Sequence, residues 1–228
     1  MKVIIAGGGI GGLALALHLH ERGIASAVYE QSAAVKELGV GINVLPHSIV
    51  HLKRLGLLPA LDAAAIRTSE LIYATASGQH ILRQPRGVAA GYDVPQFSIH
   101  RGRLQKLLFD AVCARLGPGA VVTDRRLTDH SQSDDGVTAT FTDGSGEQHH
   151  AEGAVLVGAD GIHSALRRSR YPNETDPRWN GLILWRGATW TKPFLDGRTM
   201  SIAGGMRAKL VLYPLFNDPA RPGETFMN

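Results

Sequence analysis

Residues 3–23 read VIIAGGGIGGLALALHLHERG, and the fold turns on how this stretch is divided. It is uncharged from residue 3 to residue 17, which invites a membrane or signal-peptide reading. A signal peptide needs an unbroken apolar helix before its cleavage site, and a spanning helix needs about 20 apolar residues. Gly7, Gly8, Gly9, Gly11 and Gly12 break both, since a glycine costs a helix interior about 1 kcal/mol against alanine. Divided at the glycines, both halves make sense. Residues 2–6 are a short apolar run suited to a strand buried on both faces. Residues 10–22 read as a helix closed by Gly23. The spacing Gly7-x-Gly9-x-x-Gly12 is that of a dinucleotide-binding turn. Its first glycine allows the tight turn, its second lets backbone approach a pyrophosphate, and its third lets helix and strand pack closely. The helix start then offers free N–H groups to phosphate.

Because such a glycine pattern alone is weak, its surroundings matter. The next β-like run, IASAVYEQ at 24–31, places Glu30 18 residues beyond Gly12. An acidic residue there hydrogen-bonds a ribose diol and repels a 2′-phosphate, which points to FAD or NAD rather than NADP. The competing reading is a surface glutamate that merely ends a βαβ unit.

Composition narrows the class. A chain of 228 residues, 44% hydrophobic and 19% charged, is globular rather than disordered. Its net charge of +4 suits an anionic cofactor or a carboxylate substrate, and no basic run marks a nucleic-acid surface. One cysteine, Cys113, rules out an internal disulfide framework and points to a reducing, cytoplasmic setting. It reads as a small buried hydrophobe. None of the ten histidines has metal spacing, and neighbouring His149 and His150 in a strand face opposite ways. No metal is expected, nor a membrane span.

Along the chain, Gly39 and Gly41 mark a loop of close backbone approach, and Pro46 opens a helix ending at Gly56. Residues 68–84 read as a β-hairpin turning at Ser77-Gly78. Leu104, Leu107, Leu108, Ala111 and Val112 form one face of a helix. Residues 121–150 read as an antiparallel meander turning at Asp143-Gly144. AVLVGADGIHSALR (residues 154–167) is another buried strand, a glycine turn and a helix start, and residues 181–190, 198–204 and 209–215 read as strands. A parallel βαβ core is thus interleaved with antiparallel strands.

Three stretches together are more specific than any alone: Gly7 to Gly12 with Glu30, IHRGRL at 99–104, and GADGIHSALR at 158–167. The combination resembles the single-component FAD-dependent aromatic hydroxylases, the family of 4-hydroxybenzoate, salicylate and 3-hydroxybenzoate hydroxylases. The likeness covers nearly the whole chain, and GVGINVLP, PRGV, FSIHRG, LWRG and FLDGRTM look closest to its phenazine-modifying member. It implies an α/β fold: a Rossmann-like FAD-binding domain from segments 1–70 and 98–170, with an incomplete antiparallel β-sheet substrate domain from 71–97 and 171–228. It implies that Arg101 contacts the FAD pyrophosphate, that Asp160 lies in a D-G motif between flavin and nicotinamide, and that the Leu127 backbone meets the adenine. With Gly7, Gly9, Ile10, Gly11, Gly12, Glu30, Gln31, Val40 and Gly41 these complete the expected cofactor set.

The residues' own chemistry gives each a plainer alternative. Arg101 opens its helix, where a guanidinium can pair with phosphate or simply be solvated. Asp160 can brace a turn by itself, with Gly161 supplying positive φ. Ser164 reads as a helix N-cap, His163 as a surface or packing residue and Leu127 as core. Arg186 reads either as a contact for a substrate carboxylate or, more readily, as a strand-edge salt bridge.

Mechanistically, the resemblance implies that NADH or NADPH reduces FAD and O2 adds to give a flavin hydroperoxide. Its distal oxygen then passes to an aromatic or heteroaromatic small molecule, while the protein orients the ring and excludes water. Some relatives carry a histidine base on the strand matching AKLVLYPL; this chain has Lys209, Leu210, Val211, Leu212 and Tyr213 there, so no catalytic base is assigned. Two other readings stay open: an NAD-dependent dehydrogenase, which the opening motif alone allows, and a non-catalytic FAD-binding remnant. The family continues past ETFMN with further strands and a G-D-A-A-H-like segment. The chain is therefore expected to be a fragment or truncated product, self-associating through an unfinished sheet edge at 209–215.

Overall fold

The computed structural model describes residues 2–228 as a mixed α/β chain. Its first half forms β1 (Lys2–Ala6), α1 (Ile10–Glu21), β2 (Ala25–Tyr29), β3 (Gly41–Val44), α2 (Pro46–Arg54), α3 (Leu58–Ala64), β4 (Ile66–Thr68), β5 (Glu70–Ala74), β6 (His80–Pro85), β7 (Gln96–His100) and α4 (Arg101–Leu116). Strands dominate the rest: β8 (Val121–Val122), β9 (Arg126–Ser133), β10 (Gly136–Thr142), β11 (Gln148–Gly153) and β12 (Val155–Gly158), then α5 (Ala165–Arg170). Last come β13 (Thr189–Thr191), β14 (Thr199–Gly204), β15 (Lys209–Leu212), β16 (Pro214–Asn217) and β17 (Thr225–Met227). Two compact units share the chain, one from residues up to 36 with 105–183, the other from 37–104 with 184–228. Residues 37–70 belong to the second of these units, whereas the functional grouping expected from the sequence joins 1–70. Compactness and cofactor binding divide a chain by different criteria.

The first unit is built on a parallel sheet ordered β12-β1-β2-β8. The central strand β1 pairs with β2 from Lys2↔Ala25 to Ala6↔Tyr29, and with β12 from Val3↔Val155 to Ala6↔Gly158. Residues on both its faces are buried, Val3 and Ile5 as well as Ile4 and Ala6, which is why its sequence is apolar without alternation. Ile4 and Ala6 join Leu127, Val137, Ala139, Phe141 and Ala151 in one cluster, and Tyr29 stacks on Phe141 with ring centroids 4.4 Å apart. That cluster fastens the antiparallel meander β11-β10-β9 to the sheet. Val121 and Val122, expected in the meander, instead form the outer parallel strand opposite Val28 and Tyr29. Backbone bonds from Val28 N–H to Ala120 O (2.8 Å) and from Glu30 N–H to Val122 O (2.9 Å) hold them there. Asp124, at φ 56°, turns the chain before β9 begins.

The second unit holds three small sheets, β3-β7-β4, β15-β14-β5-β6 and β13-β17-β16. In β7, Phe97 and Ile99 are fully buried, and Ser98 between them is buried as well. Ser98 is satisfied across the strands by Thr68 Oγ1 at 2.6 Å and by Asn43 Oδ1, to which it donates at 2.7 Å. The β5–β6 hairpin turns at Gly78 (φ 85°) as expected.

Two strand expectations are corrected. Residues 181–188 form no ladder; Gly181 has φ 82°, and Leu182 bonds to the side chains of Asn180 and Trp179 instead. Residues 209–215 are not one strand either. β15 ends at Leu212, because Tyr213 exchanges both backbone bonds with Asn228 (3.2 and 3.0 Å). Pro214–Asn217 then enters another sheet beside β17.

Candidate functional site

Between β1 and α1 the glycines play three separate parts. Gly7 has φ 111°, and a Cβ added to it would lie 2.2 Å from Ala159 O; one on Gly12 would lie 2.0 Å from Gly7 O. These two positions close the turn and admit no side chain. Gly9 and Gly11 are different: a Cβ on either meets nothing within 4 Å, so their bareness leaves open space over the start of α1. No side chain caps that helix and no acidic residue lies in its first turn, so its exposed N–H groups and positive dipole end face the space unneutralised. Gly8 plays the third part. Its N–H donates to Glu30 Oε2 at 2.6 Å, and a Cβ there would lie 2.9 Å from Glu30 Cβ.

Glu30 is 8% exposed. Its second oxygen, Oε1, accepts Ser32 N–H at 2.8 Å, and among the described residues it has no cationic partner. Two N–H bonds leave lone pairs on both oxygens, and a buried carboxylate without a counter-charge needs further donors. Gln105 Nε2 donates to Gly8 O at 2.8 Å, tying α4 to the turn. The sequence reading missed Gln105; its one signal was a polar residue four positions after Arg101. Gln31 is exposed beside Glu30, and Leu127 is buried in the meander cluster.

At the end of β12, Asp160 Oδ2 accepts Ala165 N–H at 2.8 Å, and Gly161 has φ 84°. Asp160 Oδ1 is buried and has no partner, so bracing the turn uses only half of this carboxylate. Ser164 caps α5 by accepting Arg167 N–H at 3.0 Å, and His163 is exposed. An open glycine cradle, a bare helix end, an unpaired buried carboxylate and an orphaned acceptor together fit a dinucleotide cofactor.

The remaining expected residues gather in the second unit. Arg101 N–H donates to Val40 O at 2.9 Å as α4 begins, and its side chain lies over Gly39, whose φ is 116°. Gly41 N–H donates to Asn228 Oδ1 at 2.8 Å. Gly41 O accepts from Arg186 Nη2 at 2.9 Å, and a Cβ on Gly41 would lie 2.5 Å from the Tyr213 ring. Arg186 makes no strand-edge salt bridge among the described residues; its Nη2 donates to Gly41 O. Burial pushes the Tyr213 phenol up, and the Arg186 guanidinium partly offsets this.

Two other groups carry side chains of a kind that sites use. Burial, helped by Asp110, pushes the half-buried Cys113 thiol up, the opposite of an activated nucleophile. Asp143, Glu147 and His149 bring ligand-type atoms within 4.8 Å of one another, a grouping that histidine spacing alone did not reveal. Asp143 is already engaged by Ser145, Glu147 and His149 in the β10–β11 turn.

Residues 1–176 match the family described as FAD binding domain. The phenazine 1,6-dicarboxylic acid hydroxylase PhzS of Lysobacter antibioticus is 42% identical over 99% of this chain and 56% of its own length. The 3-amino-4-hydroxybenzoate 2-monooxygenase PtnB3 of Streptomyces platensis is 36% identical over 82% of this chain and 45% of its own. The solved structure of Klebsiella pneumoniae HpxO complexed with FAD and uric acid is 25% identical and superposes with a TM-score of 0.71, covering 100% of this chain and 55% of that one. The chain thus spans about half the length of the curated relatives it matches.

Proposed function

The chain belongs to the FAD binding domain family of flavin-dependent hydroxylases, and from that premise we propose that it serves an NAD(P)H-dependent monooxygenase hydroxylating an aromatic or heteroaromatic small molecule, phenazines being the first class to try. The observation that carries this reading is Glu30, a buried carboxylate with two N–H donors and no cation. In this proposal its free lone pairs take the ribose diol of FAD. Gly9, Ile10, Gly11 and Gly12 leave main-chain N–H groups for the pyrophosphate, Gly7 shapes the turn with its own N–H given to Tyr29 O, and Arg101 adds a guanidinium. Val40, Gly41, Gln31 and the Leu127 backbone line the rest, and Asp160 Oδ1 accepts a donor from the cofactor. In functional terms we assign 1–70 and 98–170 to FAD and the remaining segments to substrate.

FAD, when bound, supplies the redox chemistry: it takes electrons from a nicotinamide and reacts with O2. The protein's own contribution is to hold the cofactor, orient the aromatic ring and keep water from the reacting centre. A cytoplasmic setting fits the single cysteine, and no helix among the described residues is long and apolar enough to cross a membrane.

Flavin absorbance and FAD titration of the purified chain, followed by labelled-O2 incorporation with NADH or NADPH, test the reading. Tight FAD binding and label in a hydroxylated aromatic product are expected. NAD reduction without flavin would mean a dehydrogenase instead, and FAD binding with only peroxide formed would mean a non-catalytic remnant.

A further inference from the structure

We propose that Gln105 is a positioning residue that aims the Gly9 N–H at the cofactor pyrophosphate; this rests on the FAD reading above. The two residues are joined through one peptide group. Gln105 Nε2 donates to Gly8 O at 2.8 Å, and that carbonyl shares its peptide plane with the Gly9 N–H. No peptide bond among the described residues is cis, and in a planar trans peptide the C=O and N–H point in opposite directions. A carbonyl turned toward Gln105 therefore turns the Gly9 N–H away from it. That N–H has no acceptor among the described residues, and a Cβ on Gly9 would meet nothing within 4 Å. It is a free donor on the open side of the turn, at the N-cap of α1.

The glycine run is what makes such a tie necessary. Turning the Gly8–Gly9 peptide over rotates ψ of Gly8 and φ of Gly9 by half a turn. Gly9 has φ −73° and ψ 178°, so the flip carries its φ to about +107°, a region glycine enters freely and other residues do not. Flipped, the peptide would present a carbonyl oxygen where a phosphate oxygen has to sit. The preceding Gly7–Gly8 peptide is held separately, by the Gly8 N–H bond to Glu30 Oε2 at 2.6 Å. Two successive peptide planes are thus each fixed by one side chain, Glu30 from the end of β2 and Gln105 from α4. An amide suits the second task, since it donates without carrying charge; a carboxylate there would set oxygen against oxygen. Glu30 and Gln105 then divide the cofactor between them. Glu30 takes the ribose, whereas Gln105 acts on the phosphates alone, and only through Gly9.

The test titrates the FAD-free chain with FAD, followed by flavin fluorescence, and with ADP and adenosine, followed by NMR. Gln105→Met keeps the side-chain length and removes the donor. It is expected to weaken FAD and ADP binding roughly tenfold, the scale of one hydrogen bond, because apparent affinity falls with the fraction of chains still correctly aimed. Adenosine, which has the ribose but no phosphate, should bind both proteins equally. Gln105→Glu loses the donor and adds a negative charge, so it should weaken FAD and ADP further at pH 8 and again spare adenosine. Parent-like FAD affinity in both variants overturns the proposal. An equal loss for ADP and adenosine also overturns it, by making Gln105 a support of the whole unit. A parent chain that binds neither FAD nor ADP overturns the cofactor reading, and this proposal with it.

Discussion

Glu30 is a buried carboxylate that accepts two N–H bonds, from Gly8 and Ser32, and in the proposed function its remaining lone pairs take the ribose. Glu30→Ala is expected to weaken FAD binding by about 1.5–3 kcal/mol, the scale of a hydrogen bond to a charged group. Calorimetric titration of both proteins checks this, and equal affinities would remove Glu30 from the site. A second carboxylate matters to stability rather than binding. The Ser145 hydroxyl, then His149 and the amides of Glu147 and Ser145, hold Asp143 well below the usual carboxylate range. Its folded pKa therefore lies under its unfolded value of about 3.9. The sign follows: the turn gains stability above about pH 4 and loses it as the pH falls toward the folded pKa. Asp143→Asn should flatten that acid limb and leave the slope above pH 5 unchanged, measured as urea midpoints across pH 2–6.

Elements whose pattern lies within one short segment were legible from residues alone. The division at Gly7–Gly12, the 68–84 hairpin and the face of Leu104, Leu108 and Val112 on α4 all appear where periodicity placed them. What failed is what a local pattern cannot hold. A two-residue strand such as Val121–Val122 has no period, so nothing in it says whether its partner is β2 or β10. The 209–215 run is apolar throughout, and its break at Tyr213 depends on Asn228, fifteen positions further on. The candidate site divides the same way: Glu30 and the glycines are singled out by spacing, whereas the bonds from Gln105 to Gly8 and from Arg186 to Gly41 exist only through folding. The tightest element contact gives a direct check. Gly12→Ala puts a methyl 2.0 Å from Gly7 O, so α1 must move off β1. A loss of about 1–3 kcal/mol is expected from overpacking, read by thermal melting, and a parent-like melting temperature would show that α1 is free to shift.

For the molecule as a whole, the most conspicuous surface is apolar. Leu182, Ile183, Leu184 and Trp185 are each more than 70% exposed, Trp185 at 92%, on a stretch without ladder bonds. Contiguous exposed apolar groups promote association, so the chain is expected to self-associate with rising concentration. Leu184→Ser with Trp185→Gln should shift it toward monomer in sedimentation or light scattering, whereas an unchanged mass would place the contact elsewhere. The sheet of the first unit has a consequence for biosynthesis. Its central strand begins at the second residue, yet one neighbour, β12, aligns Val155 with Val3. At roughly 5–20 residues per second, translation needs about 8–30 s to deliver that partner. Throughout that interval β1 can pair with β2 alone, its other edge apolar and unprotected. The nascent chain thus offers a chaperone a binding strand before it can offer a nucleotide a pocket.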